Sequence, residues 1–464
     1  MDITTGGAFL RAVSTRLPNL KLLTDPVDLD GYRHDETAYL EPPPPLAVAL
    51  PTETAEVAEL VRLAALHRVP IVPRGAGSGL SGGAVAVAGG LTISFMGMNR
   101  ILEIDPSNLV VITQPGVINA VLKRAVALEG LFYAPDPAST EMCSIGGNLG
   151  TNAGGLCCLK YGVTRDAVVG LEIVTATGEI VRLGGRTTKD VAGYGLIPLI
   201  VGSQGTLALI TEATLRLRPT PPARATLLAF FPSLVSAGDA VSALAAAGVE
   251  PCTLELMDRT TIRAVDDDHH LGLDHAAAAM LMIESDLPGR AATRALEIAE
   301  AACLGAGAAS TIVAADQAEA DLLRQARRLA FHSMERLGVA RMEDVGVPRG
   351  RVPAMLAEIE QIAVEQALTI ATFGHVGDGN LHPNIILERD DPDGRAKLGR
   401  ATDALYRAAI ALGGTVTAEH GIGTSRRGYL ELQRGSAAVA LMRAVKTAFD
   451  PLGILNPGKV LPDA

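Results

Sequence analysis

The segment RGAGSGLSGGA, Arg74 to Ala84, constrains the fold of this 464-residue chain more than any other. It follows the short apolar run VPIVP, and its Gly77, Gly79 and Gly82 match GxGxxG, the fingerprint of a Rossmann dinucleotide site. That fingerprint requires a helix directly after the loop, whose N-terminus meets the pyrophosphate. Here GGAVAVAGGLTISF follows, a pattern that predicts a strand and excludes the Rossmann fold. Five glycines still allow successive N–H groups to form an anion nest, with a merely flexible turn as the alternative.

A second glycine-rich segment extends from Pro135 to Asp166 and contains PASTEMCSIGGNLGTNAGGLCCLKYG. It is too long and too polar for one strand, yet too apolar for a linker. Small side chains let the main chain approach a large flat ligand closely, which would explain this composition. Downstream, LEIVTATGEIVRL predicts a hairpin with its turn at TG, and VGSQGTLALITEATLRLRP predicts a further set of strands.

The first glycine loop, the second glycine-rich segment and VGSQGTLALIT occur in this order. Together they resemble the FAD-binding domain of the vanillyl-alcohol oxidase superfamily from about Pro42 to Pro219. Some members of that superfamily tether FAD through a histidine in the first loop. Ser78 occupies that neighbourhood here and the loop contains no histidine, so the resemblance implies non-covalent FAD. The residues that it implies for FAD binding are Pro73, Arg74, Gly75, Ala76, Gly77, Ser78, Gly79, Ser81, Pro137, Ser139, Thr140, Gly146, Gly147, Asn148, Thr151, Asn152, Gly155, Gly205, Ile210 and, from the returning C-terminus, Asn456.

The composition of the chain changes at the proline-rich stretch PTPPARATLLAFF, which begins at Pro219. The residues from there to about Ile370 are alanine-rich, helical in period and more charged, which indicates a separate α+β domain. We therefore expect an α+β protein with a vanillyl-alcohol oxidase-type FAD-binding domain at 1–219. A substrate- and metal-binding cap would follow at 220–420, and a segment returning to the FAD domain at 421–464.

The octapeptide HVGDGNLH places His375 and His382 around a turn signal, and AEHGIG follows some forty residues later. The flanks ALTIATFGH and LHPNIIL resemble strands, so a hairpin would bring both imidazoles to the same end of two neighbouring strands. A third strand, GGTVTAEHG, could deliver Glu419 beside them. Two imidazoles and a carboxylate leave open positions for a substrate on a bound metal. The alternative is that each histidine is an exposed turn residue.

The C-terminal half, from about Ala225 to Pro462, resembles the FAD-linked oxidase cap of D-2-hydroxyacid dehydrogenases. The matching motifs are GHVGDGNLHPN, AEHGIG and FDPLGILNPGKVLP. The resemblance implies that His375, His382 and Glu419 hold a divalent cation, zinc or manganese. It makes His420 the catalytic base and a substrate contact, puts Asn384 beside the substrate, and gives Arg327 the substrate carboxylate. By pattern alone, the arginines of RQARRLAF (Arg324, Arg327 and Arg328) would form a solvated helix face.

Composition and charge exclude other classes of function. Aromatic residues make up 3% of the chain and the net charge is −11, so a stacking or electrostatic surface for nucleic acid is not expected. The five cysteines form no CxxC pair, which indicates a reduced, intracellular protein without a disulfide framework. The sequence shows no signal peptide and no apolar run long enough to span a membrane, so we expect a cytoplasmic location.

The resemblances together predict an FAD-dependent D-2-hydroxyacid dehydrogenase of the D-lactate dehydrogenase type. Met342 stands where D-2-hydroxyglutarate dehydrogenases have a lysine for the second carboxylate, which favours monocarboxylic substrates. Two alternatives stay open: an oxidase of the same fold that uses dioxygen, and a non-catalytic FAD-domain subunit of a larger complex. The electron acceptor (quinone, electron-transfer flavoprotein, cytochrome or dioxygen) is not specified by the sequence, and a homodimer stays open.

Overall fold

The computed structural model describes residues 3–37, 40–389 and 391–463. Within them the α-helices are α1 Ile3–Arg16, α2 Pro26–Asp30, α3 Thr54–His67, α4 Asn119–Ala127, α5 Ile145–Thr151, α6 Cys158–Tyr161, α7 Ile197–Ile200, α8 Leu234–Ala246, α9 Arg259–His269, α10 Arg290–Gly305, α11 Gln317–Glu335, α12 Val352–Glu365, α13 Gly394–Ala411, α14 Leu430–Arg434 and α15 Ser436–Phe449. The strands are β1 Lys21–Leu23, β2 Ala47–Leu50, β3 Ile71–Arg74, β4 Leu91–Ser94, β5 Ile101–Asp105, β6 Val110–Thr113, β7 Leu131–Phe132, β8 Val168–Val174, β9 Ile180–Gly184, β10 Leu209–Arg216, β11 Arg218–Pro219, β12 Ala225–Phe231, β13 Thr253–Asp258, β14 Ala279–Ser285, β15 Ser310–Val313, β16 Val339–Met342, β17 Val345–Gly346, β18 Thr369–Gly374 and β19 Asn380–Leu387.

The chain divides into two compact units. Unit 1 comprises Met1–Gly154, Val163–Thr220 and Glu419–Ala464, and unit 2 comprises Gly155–Gly162 and Pro221–Ala418. The chain therefore enters unit 2 twice, first for eight residues and then for the long central part. The eight residues Gly155–Gly162 lie within the second glycine-rich segment, and no feature of the sequence indicated that they belong to unit 2.

Unit 1 contains a four-stranded sheet and a five-stranded sheet. The order of the first is β1-β2-β4-β3, in which β2 and β3 run parallel to β4 and β1 is antiparallel to β2. The second sheet, β5-β6-β10-β8-β9, is antiparallel throughout. Helix α3 packs an apolar stripe of Val57, Leu60, Val61 and Ala64 into the core beside the first sheet, as its helical spacing predicts.

Unit 2 is built on one antiparallel sheet in the order β15-β12-β14-β13-β18-β19-β16, with β17 pairing β19. Its central strands β13, β14 and β19 are buried along their whole length, because helices pack against the sheet. Helix α8 packs on α10 and α12, and α9 packs on α11. One apolar cluster of this unit includes Met257, Met280 and Phe373.

The eight-residue excursion into unit 2 carries α6, which packs against β13. Lys160 and Tyr161, at the end of α6, both bond to the carboxylate of Asp286, just after β14. These contacts anchor the excursion within the unit. Among the described residues, no helix has both the length and the apolarity needed to cross a membrane.

Candidate active site

The first glycine loop of unit 1 connects the parallel neighbours β3 and β4. All of residues 75–90 are described, and none of them is helical, as expected once the Rossmann fold is excluded. Gly77 has a φ of +83°, and a methyl group there would overlap the guanidinium of Arg74. A methyl group on Gly75 would overlap the Ser144 hydroxyl. Glycine at these two positions therefore lets the main chain of the loop lie against the Arg74 guanidinium and the Ser144 hydroxyl, and a glycine-rich main chain of this kind suits contact with a phosphate.

The C-terminal part of unit 1 is fastened to this loop through Ser81 and Gln204. The Ser81 hydroxyl donates to the carbonyl of His420 (2.9 Å) and accepts from Gln204 Nε2 (3.1 Å). Gln204 Oε1 accepts from the N–H of Gly423 (2.7 Å). The side chain of Ser81 is thus engaged with protein groups and holds the chain beside His420.

Asn456 is the second link between the C-terminal part of unit 1 and the loop. Its Nδ2 donates to the carbonyls of Gly83 (2.9 Å) and Gln204 (2.6 Å), and its own N–H donates to Ile71 (2.7 Å). The side chain is 1% exposed, and its Oδ1 finds no hydrogen-bond partner among the described residues. An unsatisfied buried oxygen costs free energy, so a hydrogen bond donated to this atom by a ligand would be stabilising.

Unit 1 also contains a buried cation. Lys459 is 6% exposed, and burial lowers the pKa of its ammonium to about 8, although the carboxylate of Asp35 opposes that shift. The side chain of Asp35 in turn accepts hydrogen bonds from the N–H groups of Thr37 and Ala84 beside the loop. A desolvated cation here favours an anionic ligand electrostatically.

The second glycine-rich segment folds around the short helix α5, which Ser144 caps by accepting from the N–H of Gly147 (3.2 Å). A methyl group on Gly146 would overlap Pro115, both its side chain and its main chain. Most polar side chains of the segment bond to protein groups: Thr140 to Asn119, Asn148 to Asn119, Thr151 to the Gly147 carbonyl and Asn152 to the Arg165 N–H.

These side chains hold the shape of the segment, and its glycines leave the main chain open. Of the remaining predicted FAD contacts of this unit, Pro73 and Arg74 end β3, Ala76, Ser78 and Gly79 lie in the first glycine loop, and Pro137 and Ser139 precede α5. In the third segment, Gly205 has a φ of +69° and would overlap Pro73 if it carried a methyl group, while Ile210 is half-buried on β10. Gly155 is assigned to unit 2. The glycine-lined main chain, the unsatisfied Asn456 oxygen and the buried Lys459 fit an FAD molecule, whose flat ring and pyrophosphate need these features.

In unit 2, HVGDGNLH covers the connection between the antiparallel strands β18 and β19 and the first three residues of β19, Asn380 to His382, as its hairpin pattern predicts. The connection contains a short 3₁₀ turn at Val376–Asp378. It closes at Gly379, whose φ of +84° and close approach to the Val347 carbonyl leave no room for a side chain. His375 and His382 are both buried, and their ring centroids lie 5.2 Å apart at an interplanar angle of 86°. The interpretation as exposed turn histidines is therefore wrong.

Glu255 on β13 joins His375 to Arg327 on α11. Its Oε1 lies 2.7 Å from His375 Nδ1, and its Oε2 lies 2.7 Å from Arg327 Nη2. The guanidinium also stacks over the ring of Phe373, 4.4 Å from its centroid. Arg324 and Arg327 are both buried, so the solvated helix face indicated by the pattern alone is wrong. The buried position of Arg327 is compatible with the binding role that the resemblance implies.

Asn384 and Met342 are paired in register on β19 and β16. Asn384 is fully buried, and its Nδ2 donates to the carbonyls of Ala371 and His382. Its Oδ1 finds no hydrogen-bond partner among the described residues. Met342 packs against the apolar cluster that contains Phe373, and Arg341 beside it is paired with Glu343 (2.9 Å).

The chain leaves unit 2 through a stretch held by Asp344. Its Oδ2 accepts from the Thr417 hydroxyl (2.6 Å) and the Ala418 N–H (2.9 Å), and its Oδ1 lies 3.9 Å from His382 Nδ1. No strand forms over residues 413–420, all of them described; Thr415 makes an isolated bridge to Gly346. The strand predicted for GGTVTAEHG is therefore wrong, because side-chain bonds to Asp344 fix this stretch in place of a sheet ladder.

Glu419 and His420 follow directly and open the last part of unit 1. His420 Nε2 lies 3.6 Å from Glu419 Oε1, and both side chains are largely buried. A methyl group on Gly154 would overlap the carboxylate of Glu419, so that glycine makes room for the carboxylate within unit 1. The predicted catalytic base thus has its main chain tied to Ser81 of the first glycine loop.

The buried imidazoles of unit 2 fit a divalent metal. Glu255 Oε1 lies at hydrogen-bond distance from His375 Nδ1, which favours the tautomer that donates from Nδ1–H and leaves the lone pair of Nε2 for a ligand; zinc-binding histidines commonly have such a partner. Imidazole nitrogens and carboxylates are donors that zinc and manganese accept. Two predicted ligands, His375 and His382, lie together in unit 2, and the third, Glu419, belongs to unit 1.

Four residues with a part in these arrangements were not identified by the sequence analysis: Glu255, Gln204, Asp344 and Lys459, the last of which lies within the motif FDPLGILNPGKVLP. Glu255 had a visible signal, because it is the one charged residue in the apolar run CTLELM. An ionisable residue inside a strand buried on both faces requires a partner. Gln204 and Asp344 had no comparable signal, since each lies in a polar or glycine-containing stretch.

Comparisons with known proteins agree with this description. Two family models match: the FAD binding domain over residues 45–184, and the C-terminal domain of FAD linked oxidases over residues 220–460. The glycolate oxidase subunit GlcD of Bacillus subtilis is 44% identical, over 92% of this chain and 91% of its own. The D-2-hydroxyglutarate dehydrogenase of Stutzerimonas stutzeri is 33% identical, over 98% of this chain and 99% of its own.

The fold has counterparts among solved structures. p-Cresol methylhydroxylase superposes with a TM-score of 0.84 at 17% identity, covering 100% of this chain and 98% of the other. At that identity the likeness concerns the fold alone. Together with the mixture of helices and sheets, it confirms the predicted α+β class and the vanillyl-alcohol oxidase-type fold.

Proposed function

The chain belongs to the FAD-linked oxidases, in the group of glycolate oxidase GlcD, D-lactate dehydrogenase and D-2-hydroxyglutarate dehydrogenase, and we propose that it oxidises a short monocarboxylic D-2-hydroxy acid to the 2-oxo acid. The observation that carries the proposal is the buried set in unit 2: His375 and His382 side by side, with Glu255 joining His375 to Arg327. These groups are suited to an anionic substrate and a cation.

Bound FAD supplies the acceptor for the hydride that leaves the α-carbon. The chain's own part is to hold this cofactor through the two glycine-rich segments, with Asn456 Oδ1 accepting a hydrogen bond and Lys459 facing negative charge. Binding is non-covalent in this proposal, because the first loop offers no histidine for a tether.

A bound zinc or manganese ion supplies the Lewis acidity that lowers the pKa of the substrate hydroxyl. His375 and His382 are its proposed ligands in unit 2, and Glu419 is the third. Glu419 follows Ala418, whose N–H is fixed by Asp344, so the chain leaves unit 2 at a defined point. His420 is the proposed base, since a neutral imidazole accepts a proton near neutral pH. Its main chain is held by the Ser81 hydroxyl.

The substrate carboxylate is assigned to Arg327. A guanidinium has five N–H donors in a planar fork, so an ion pair with Glu255 is compatible with a further bond to a carboxylate. Its stacking on Phe373 fixes the plane of the fork. Asn384 supports the same end of the site, because its buried Oδ1 can accept a hydrogen bond from a substrate hydroxyl.

The preference for a monocarboxylic substrate is supported by the surroundings of Met342. This residue is the register partner of Asn384, and it contacts an apolar cluster. Arg341, the neighbouring cation, is paired with Glu343, whose second oxygen bonds Tyr406. A second substrate carboxylate buried against a thioether would cost several kcal/mol, whereas a hydrogen or methyl side chain would pack there without penalty.

Two other functions are consistent with the fold. An oxidase would use the same residues and pass electrons to dioxygen. A non-catalytic FAD-domain subunit would have no use for two buried imidazoles held by a buried carboxylate, so the Glu255–His375–His382 arrangement counts against it. The amount of metal in the purified protein discriminates these two.

Anaerobic bleaching of the flavin absorbance tests the proposal directly. The panel contains glycolate, both enantiomers of lactate and of 2-hydroxybutyrate, and both enantiomers of 2-hydroxyglutarate. We expect reduction by glycolate or a D-monocarboxylate, with kcat/KM above that for D-2-hydroxyglutarate. No bleaching with any 2-hydroxy acid would contradict the proposed reaction. A clear advantage for the diacid would contradict only the assignment of Met342, and repeating the fastest substrate in air identifies an oxidase.

A further inference from the structure

Glu255 is a buried carboxylate with one partner on each oxygen. It is 1% exposed, on the central strand β13, between residues that are otherwise apolar. Oε1 lies 2.7 Å from Nδ1 of His375, and Oε2 lies 2.7 Å from Nη2 of Arg327. One side chain therefore touches a proposed metal ligand and the proposed clamp for the substrate carboxylate at the same time.

A second buried Glu–Arg pair in unit 2 shows what such a pair looks like without a histidine. Arg324 lies one turn before Arg327 on α11, and its guanidinium pairs with Glu284 on β14, the strand next to β13. Glu284 has the Thr226 hydroxyl as a further partner (3.4 Å). Both carboxylates are 1% exposed, and both serve a buried arginine. The two carboxylates differ in their further partner, which is His375 for Glu255 and the Thr226 hydroxyl for Glu284.

The chemistry of the two bonds explains why one group would serve both ends. A carboxylate that accepts on Oε1 favours the His375 tautomer with its proton on Nδ1, and the lone pair of Nε2 is then left for a metal. A carboxylate on Nδ1 also makes the ring a stronger ligand. The other oxygen holds Arg327 against the Phe373 ring, which fixes the direction of the guanidinium fork.

We propose that Glu255 is a positioning residue that sets both the metal affinity of His375 and the hold of Arg327 on the substrate carboxylate. This inference rests on the proposed function and adds a link to it: metal binding and carboxylate binding depend on the same side chain. Replacement of Glu255 should therefore weaken both metal binding at His375 and substrate binding at Arg327.

The test compares Glu255→Gln with Glu284→Gln in the FAD-loaded protein. Glutamine keeps the size of the side chain, but its amide can accept from only one of the two partners. For Glu255→Gln we expect a zinc affinity 10- to 100-fold below that of the wild-type protein, measured by competition with a chromophoric chelator. We also expect about a tenfold higher KM for the best monocarboxylate at saturating zinc, with kcat lowered less than kcat/KM.

Glu284→Gln is the matched control, because it breaks a buried Glu–Arg pair of the same helix and sheet without touching a histidine. It should lower the unfolding temperature and leave zinc affinity and KM at their wild-type values. Equal losses of zinc affinity in both variants, or none in Glu255→Gln, would overturn the inference. If Glu255→Gln does not fold, Glu255→Asp replaces it, and the same outcomes decide.

The result also separates this inference from the proposed function. A wild-type protein that binds no zinc or manganese would overturn the metal assignment and the inference with it. A metal-containing wild-type protein whose Glu255 variant keeps full affinity would overturn the inference alone. Correct flavin content in every variant shows that unit 1 is intact in each measurement.

Discussion

In unit 1 the predicted cofactor segments present main chain, and the side chains of Thr140, Asn148, Thr151 and Asn152 are bonded to protein. In unit 2 the opposite holds, since the candidate groups are ionisable or amide side chains buried around one hairpin. A main-chain site tolerates few added atoms, because its glycines approach other residues closely. A side-chain site tolerates little change of charge, because each buried polar group depends on its partners. We therefore expect unit 1 to be sensitive to added side-chain atoms at its glycines, and unit 2 to be sensitive to the loss of a charge or of a hydrogen-bond partner.

Removal of the metal should produce the largest effect and separate the two kinds of site. Extended treatment with a chelator is expected to abolish turnover, because the proposed cation lowers the pKa of the substrate hydroxyl. The flavin-to-protein absorbance ratio should stay constant, since no metal is needed to hold FAD in unit 1. Zinc or manganese, added back, should restore activity. Full turnover in protein shown to contain no metal would rule out the roles of His375, His382 and Glu419.

His420 is the proposed base, and it belongs to unit 1, whose glycine-rich segments act through their main chain. Replacing it with asparagine should slow anaerobic flavin reduction by about 100-fold, the usual scale for loss of a general base. Metal content should change little. His332→Asn, an exposed histidine of α11, controls for the chemistry of the replacement. If His420→Asn reduces its flavin at the wild-type rate, another group accepts the proton of the substrate hydroxyl.

Two glycines of α5 test the main-chain site with one added methyl group. Gly146→Ala would push against Pro115, main chain included, so we expect about tenfold weaker FAD binding and a loss of 1–3 kcal/mol in stability, as is typical of overpacking. Gly150→Ala is the control, since nothing lies within 4 Å of the added atom and the position is helical. It should keep FAD and gain up to about 1 kcal/mol. Equal FAD affinity in both variants would mean that the close packing of Gly146 on Pro115 does not contribute to FAD binding.

The same contrast explains what the sequence could reveal. The glycine segments and HVGDGNLH are local in the chain, and their turns and strands follow from a few neighbouring residues. The Glu255–His375–Arg327 arrangement joins β13, α11 and the β18–β19 connection, which are far apart in sequence and meet only through the order of the sheet. Sequence spacing contains no information on that meeting. The strand predicted for GGTVTAEHG failed for a related reason, because Asp344, some seventy residues earlier, supplies the bonds that decide its conformation.

The smallest expected effect concerns a buried charge of unit 2 outside the candidate site. Asp258 ends β13 and caps α9, accepting from the N–H groups of Thr261 (2.8 Å) and Thr372 (2.7 Å). Burial raises the pKa of its carboxyl from 3.8 to about 6, in spite of these hydrogen bonds. Between these two values the folded protein holds a proton that the unfolded chain has released. This group therefore adds stability as the pH falls through 6 toward 4, and the addition is lost as the pH rises again.

Asparagine at position 258 cannot take up that proton, so the variant isolates the effect. The free energy of unfolding of the wild-type protein, relative to Asp258→Asn, should increase by about 1 kcal/mol between pH 7 and pH 5, measured by urea titration. Asp316→Asn, at the exposed cap of α11, controls for the loss of a capping carboxylate in the same unit. Because one amide oxygen replaces two carboxylate oxygens at position 258, that variant should also be less stable than wild type at both pH values. A difference that stays constant from pH 7 to pH 5 would mean that Asp258 is ionised throughout, and that its hydrogen bonds outweigh its burial.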